Sequence, residues 1–181
     1  MRKILLPALL LFCVSGIFAQ NYPVIMNNGT ILVNTGVGFG WPVTDRDRGD
    51  GKCPPLTASF DAALPIAGLP LTVGIIVGYF SETVWWYNNN LVHIVPIAGR
   101  IAYHLPFNVP RLDTYALLTL GGSIFIYKDD DLTVADAVAA RKFWWGLGVG
   151  GRYFFLPNMG AYLEFGIGNV QNITFGLAFK I

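Results

Sequence analysis

The sequence predicts an all-β protein, an eight-stranded antiparallel up-and-down transmembrane β-barrel. Three observations carry this. The first is the segment Ile173-Thr174-Phe175-Gly176-Leu177-Ala178-Phe179-Lys180-Ile181. Its odd positions are large and apolar, and its even positions are small or charged. A period of two means a strand with unlike faces. The second is composition. The chain is 54% hydrophobic and 13% charged, against roughly 25% charged in soluble domains. Beyond the N-terminus no run of ~18 apolar residues could form a spanning helix, so a closed barrel is the remaining way to cross lipid. The third is the second face of the alternating segments, which is rich in glycine rather than charge. That suits a barrel whose apolar face meets lipid.

Eight such segments follow one another. The first, Thr30 to Gly40, sets Ile31, Val33, Val37 and Phe39 against Asn34, Gly36, Gly38 and Gly40. The second, Leu56 to Leu64, sets Ala58, Phe60, Ala62 and Leu64 against Ser59, Asp61 and Ala63. The third, Leu71 to Phe80, sets Val73, Ile75, Val77 and Tyr79 against Thr72, Gly74 and Gly78. The fourth, Val92 to His104, sets Val95, Ile97, Ile101 and Tyr103 against Ala98, Arg100, Ala102 and His104. The fifth, Thr114 to Tyr127, alternates less cleanly, with Leu117 and Phe125 on its small face. The sixth, Phe143 to Phe154, sets Trp145, Leu147, Val149 and Tyr153 against Gly146, Gly148, Gly150 and Arg152. The seventh, Gly160 to Gly168, sets Ala161, Leu163, Phe165 and Ile167 against Tyr162, Glu164, Gly166 and Gly168. The eighth is the C-terminal segment. Their lengths match the ~9–11 residues of a tilted membrane strand. Pro96 is the tension, because proline removes a ladder donor; a bulge or frayed start is expected there.

Residues 1–19 read as a cleaved secretory signal: Arg2 and Lys3 are the charged start, Ile4 to Val14 the apolar stretch, and Ala19 the small residue before cleavage. The barrel domain is then 20–181. With Cys13 removed, Cys53 stands alone and no internal disulfide forms. The connections alternate between long (Trp41 to Pro55, Ser81 to Leu91, Lys128 to Lys142) and short (Pro65 to Pro70, Phe155 to Met159). One or two helical turns are expected over 134–141. Aromatic residues gather at the two ends of the segments: Phe39, Trp41, Tyr79, Trp85, Trp86, Tyr127, Trp144 and Trp145 at one, and Tyr103, Phe107, Tyr115, Tyr153, Phe155 and Phe179 at the other. Two girdles fit two lipid–water interfaces.

This pattern resembles the small eight-stranded outer-membrane barrels, the porin-like family that includes the OmpA transmembrane domain and OmpX. Nearly all of the mature chain takes part. The most specific stretch is Gly148 to Ile181: Gly-Val-Gly-Gly-Arg-Tyr-Phe-Phe, a short turn, Gly-Ala-Tyr-Leu-Glu-Phe-Gly, and the terminal strand. The resemblance implies the outer membrane of a Gram-negative-type bacterium, with both termini periplasmic and the long connections outside. It implies outer-membrane lipid as surroundings, a monomer, and delivery by the barrel-assembly machinery through the last strand. Family members end in Phe or Trp. Ile181 departs from that, and Phe179 is the expected substitute.

By parity Asp61, Arg100, Arg152, Glu164 and Lys180 all point into the lumen, and Arg152 and Glu164 lie on adjacent strands within reach of a diagonal pair. Eight strands enclose little more than side-chain volume. The favoured reading is a structural plug; the alternative is a narrow channel for ions or small apolar solutes. In the first long connection, Arg48-Gly49-Asp50 matches an integrin-recognition tripeptide, a weak signal for a host or matrix ligand beside the plainer reading of a solvated mixed-charge loop. The neighbouring aspartates lack the spacing of a calcium loop. No cofactor, metal cluster or catalytic grouping is apparent, and the balance of +1 gives no support to a nucleic-acid partner. A secreted lipocalin-like binder is the competing fold, with Gly38-Phe39-Gly40-Trp41 as its opening motif, but it would need its charged face outside.

Overall fold

The structure, a computed structural model, describes residues 29–39, 49–64, 69–84, 90–105, 107, 109–126, 143–168 and 172–181, with 49–53, 82–84 and 90 described by backbone alone. The predicted signal 1–19, Trp41, Arg48, Trp85, Trp86, Tyr127 and the expected helical turns over 134–141 lie outside the described residues.

Each alternating segment forms a strand: β1 (Ile31–Phe39), β2 (Gly49–Ala63), β3 (Leu71–Val84), β4 (Asn90–Leu105), β5 (Leu112–Ile126), β6 (Phe143–Tyr153), β7 (Met159–Ile167) and β8 (Ile173–Lys180). Every strand pairs antiparallel with the next, and β1 pairs with β8 to close the barrel. The seam ends in a reciprocal pair of bonds, Ile31 N to Ile181 O and Ile181 N to Ile31 O, both 2.9 Å. Closure satisfies the backbone without water, as crossing lipid demands.

The wall sorts side chains as the parity predicts. Phe60, Ile75, Ile97, Leu120, Val149, Phe165 and Phe175 stand exposed on the outside. Among the strand residues whose side chains are described, no outward position carries Asp, Glu, Lys or Arg. Asp61, Arg100, Asp113, Arg152 and Glu164 instead lie buried inside. This is the reverse of a lipocalin, and it matches a barrel solvated by hydrocarbon.

Three local expectations are corrected. Strands β2, β3 and β4 run further into the connections than the alternation suggested, so Gly49 and Asp50 belong to β2, paired with Val84 and Thr83, rather than to a loop. The β3–β4 connection shrinks accordingly to 85–89. The register irregularity falls between Gly51 and Leu56 of β2, where Pro54-Pro55 withholds two donors. Pro96 makes no bulge. Val77 opposite Ile97 and Phe80 opposite Ile94 share one register, and Pro96 itself faces Ser123 of β5. A Cβ on Gly78 would lie 2.8 Å from the Pro96 ring, so glycine there makes room for the proline.

The lumen is filled in two layers. At the end where β1 begins and β8 finishes, the termini end, it holds polar and charged groups. Toward the opposite end it holds a cluster of Phe80, Val92, Ile94, Ala98 and Trp144, with Ile76 and Phe125 packed on it.

Candidate functional site

Glycine decides what the lumen can hold. In an antiparallel barrel, inward residues of neighbouring strands form rows, and a long side chain can cross the next strand only where that strand offers no Cβ. Asp61, Gly74 and Arg100 form one such row: carboxylate and guanidinium meet above the glycine, Arg100 Nε lying 3.0 Å from Asp61 Oδ1. This contact is too bent to be a hydrogen bond, so those two atoms find each other by charge alone. Tyr115, Gly150 and Glu164 form a second row. The tyrosine ring lies flat over Gly150, and its hydroxyl donates to Glu164 Oε1 at 2.6 Å. Tyr162, Gly176, Gly36 and Thr57 form a third, with the Tyr162 hydroxyl resting against Gly36 and bonded to Thr57.

The rows interlock through Arg152, which is 0% exposed. Its Nη1 donates to Asp113 Oδ2 at 2.8 Å, its Nη2 to Asp61 Oδ2 at 3.1 Å and its Nε to Asn34 Oδ1 at 2.9 Å. Its Cζ lies 4.0 Å from the centre of the Tyr115 ring, a cation–π contact. Asn34 Nδ2 in turn donates to Ser59 Oγ at 2.8 Å. Arg100 closes the other side, its Nη2 donating to Glu164 Oε1 at 2.8 Å. A fork of planar donors suits such a hub, where one cation must serve several oxygens. Buried charges persist only when paired and hydrogen-bonded, and here each one is.

Nearer the termini, Asp113 Oδ1 meets His104 Nδ1 at 2.6 Å, and His104 Nε2 meets Thr72 Oγ1 at 3.0 Å. The order carboxylate, imidazole, hydroxyl is that of a nucleophile relay. Thr72 is 1% exposed, though, and Tyr115 packs on the imidazole at 5.5 Å. The hydroxyl is closed off from solvent, and the line ties β3, β4 and β5 together. Among the described residues no three His, Cys, Asp or Glu side chains group as metal ligands.

No protein-family model matches the sequence, and no curated protein does. Solved structures do match. The outer-membrane protein OprG of Pseudomonas aeruginosa superposes with a TM-score of 0.52 at 10% identity, over 88% of this chain and 99% of that one. A de novo designed transmembrane β-barrel gives 0.49 at 18% identity, over 86% and 98%. The outer-membrane protein Ail of Yersinia pestis gives 0.48 at 10%, over 84% and 99%. The chain has the fold of the small eight-stranded outer-membrane barrels.

Within this outer-membrane barrel fold the sequence-predicted residues separate. Asp61, Arg100, Arg152 and Glu164 come together. The expected partnership of Arg152 with Glu164 is corrected: Glu164 takes Arg100 and Tyr115, and Arg152 takes Asp113 and Asp61. Row geometry is the reason, since the position between Arg152 and Glu164 along β6 is Gly150, and Tyr115 already occupies it. Lys180 stands apart, half-buried, its Nζ 5.3 Å over the Phe154 ring. Of the girdle, Trp145, Tyr153, Tyr103 and Phe179 face outward. Trp144 and Tyr115 do not: both are buried in the lumen, as strict parity with Trp145 and Ala116 requires. Asp113 and Asn34 were missed. Asp113 was assigned to a turn, and β5 begins one residue before it; Asn34 sat on the small face but carried no charge to mark it.

Proposed function

We propose that this chain is an integral protein of a bacterial outer membrane whose lumen is closed rather than conductive, acting structurally or through the connections at the end away from its termini. The carrying observation is the lumen network: Asp61, Arg100, Asp113, Arg152 and Glu164 are each 7% exposed or less, and no side chain in it is left to solvate a passing ion. In this reading residues 1–19 are the cleaved leader, both ends of the barrel domain are periplasmic, and β8 is the strand that engages barrel assembly. The apolar outer wall supports lipid surroundings and a chain that works as a monomer. The mixed charges at 45–48 and the first residues of β2, together holding Arg48-Gly49-Asp50, would lie at the outer end of the barrel.

Purified protein in a planar bilayer tests the central point. Silence at both polarities is expected; a stable, reproducible conductance favours the narrow-channel reading. Fractionation tests the location: the chain should stay with outer membranes and migrate differently on a gel before and after heating, and recovery in the soluble periplasmic fraction would reject it.

A further inference from the structure

The apolar cluster above the network has no part in the ion pairing, yet it fills the same lumen from the side of β3 to β6. Phe80 comes from β3, Ile94 and Ala98 from β4, and Trp144 from β6. Trp144 and Ala98 belong to one cluster although β5 runs between their strands. The row position between them is Gly121, again a glycine that lets side chains meet across a strand. Phe80 and Ile94 are each 1% exposed and Trp144 9%. The cluster sits directly on the network, since Ala98 is one inward position from Arg100 on β4 and Ile76 one from Gly74 on β3. The side chains of this layer are hydrocarbon apart from the Trp144 indole, whose Nε1–H finds no hydrogen-bond partner and, as a donor only, gives a cation no oxygen or nitrogen lone pair.

We propose that this layer is a second seal, in series with the ionic network, and that it stops ions on its own. The inference rests on the closed-barrel reading. An ion crossing a constriction of Phe, Ile and Trp must shed its water and meets at most one indole N–H in return, which is how hydrophobic gates hold without charge. The ion pairs then fix the shape of the lumen at the termini end, and the apolar layer supplies an independent barrier at the other. Breaking the pairs opens half a channel that still leads to a dry wall.

Planar-bilayer recording on three variants tests this, each first checked for heat-modifiable migration. The first replaces the network charges (Asp61→Ser, Arg100→Ser, Arg152→Ser, Glu164→Ser). The second replaces the seal (Ile94→Ser, Trp144→Ser). The third combines them. The network variant is expected to be as silent as the wild type, and the combined variant to conduct at least about tenfold above it. Conductance by the network variant with Ile94 and Trp144 intact would overturn the seal, as would a folded combined variant that stays silent. Where the four-serine chain does not migrate as folded, Arg100→Ser with Glu164→Ser takes its place in the same comparison. Conductance of the wild type is a separate result, which removes the closed-barrel reading itself.

Discussion

Gly150 and Gly151 are neighbours on β6 that face opposite sides of the wall, and replacing each by alanine should have opposite consequences. A Cβ on Gly150 would sit 2.6 Å from Cζ of Tyr115 and 2.7 Å from its Cε2 and hydroxyl, far inside the ~3.5–4.0 Å of a carbon–carbon contact. The ring has nowhere to go: its hydroxyl is tied to Glu164, Arg152 lies over one face and His104 packs beside it. Overpacking costs about 1–3 kcal/mol, and losing a hydrogen bond to a charged group about 1.5–3 kcal/mol. Alanine regains roughly 0.5–1 kcal/mol over glycine in a strand. Gly150→Ala should therefore destabilise the barrel by about 1.5–5.5 kcal/mol. Around Gly151 the nearest atoms to a new Cβ are 3.8 and 3.9 Å away, so Gly151→Ala should be neutral or gain up to about 1 kcal/mol. Urea unfolding in short-chain phosphatidylcholine bilayers, followed by tryptophan emission and gel mobility, measures both. In a Tyr115→Ala background the penalty at Gly150 should vanish. Equal costs at the two glycines, or an undiminished Gly150 penalty without Tyr115, would refute the argument that glycine is the slot through which the network is built.

Other perturbations separate the parts of the molecule. Arg152→Met removes the hub and leaves Asp113 and Asp61 each short of a cation, an expected loss of about 3–5 kcal/mol by the same urea titration. Lys180→Ala, which forfeits one aromatic contact, should cost less than about 1 kcal/mol. Leu120→Arg, on the lipid face midway along β5, should cost about 2–4 kcal/mol, and Ile126→Arg at the strand end only about 0–1 kcal/mol. Equal costs at these two depths would mean that the wall does not sit in hydrocarbon as its apolar surface indicates.

Much of the wall was legible in the sequence, because a strand between lipid and lumen must alternate and any slip moves every side chain to the wrong face. That is why the inward placement of Arg100, Arg152, Asp61 and Glu164 follows from parity alone. Partner choice does not follow from parity. Arg152 and Glu164 are close along the chain, which made them the natural pair. Their actual partners come from strands far away in sequence, Asp61 from β2, Arg100 from β4 and Asp113 from β5, brought in by closure and by the tilt of the rows. The aromatic residues misled for a different reason. Position near a strand end says that an aromatic lies at interface height, but the face it takes is set by its neighbours, and Trp144 beside Trp145 cannot share its side. Strand ends were read short wherever polar or proline residues replaced the apolar alternation, as at Gly49 to Pro55, because above the lipid a strand no longer needs an apolar face to persist.

The glycines of the inner face bear on the functional reading more than their chemistry suggests. A lumen lined by Gly36, Gly74, Gly121, Gly148, Gly150 and Gly176 looks, residue by residue, like an empty one, and an empty lumen would be a pore. In a closed eight-stranded wall the opposite holds. Several of these glycines stand in a row beside a long residue on the adjoining strand, Gly74 between Asp61 and Arg100, Gly150 between Tyr115 and Glu164, and Gly176 beside Tyr162. The space each of them vacates is taken by that neighbour lying across it. Small and large inward residues must therefore be counted along rows rather than along strands. Counted so, the glycine-rich face and the few buried charges are one feature: the glycines let Tyr115, Arg100 and Asp61 reach partners across a strand, and the partners keep those groups from needing water. A sequence of this kind with glycine but no long inward residues on adjacent strands would be the candidate for a pore.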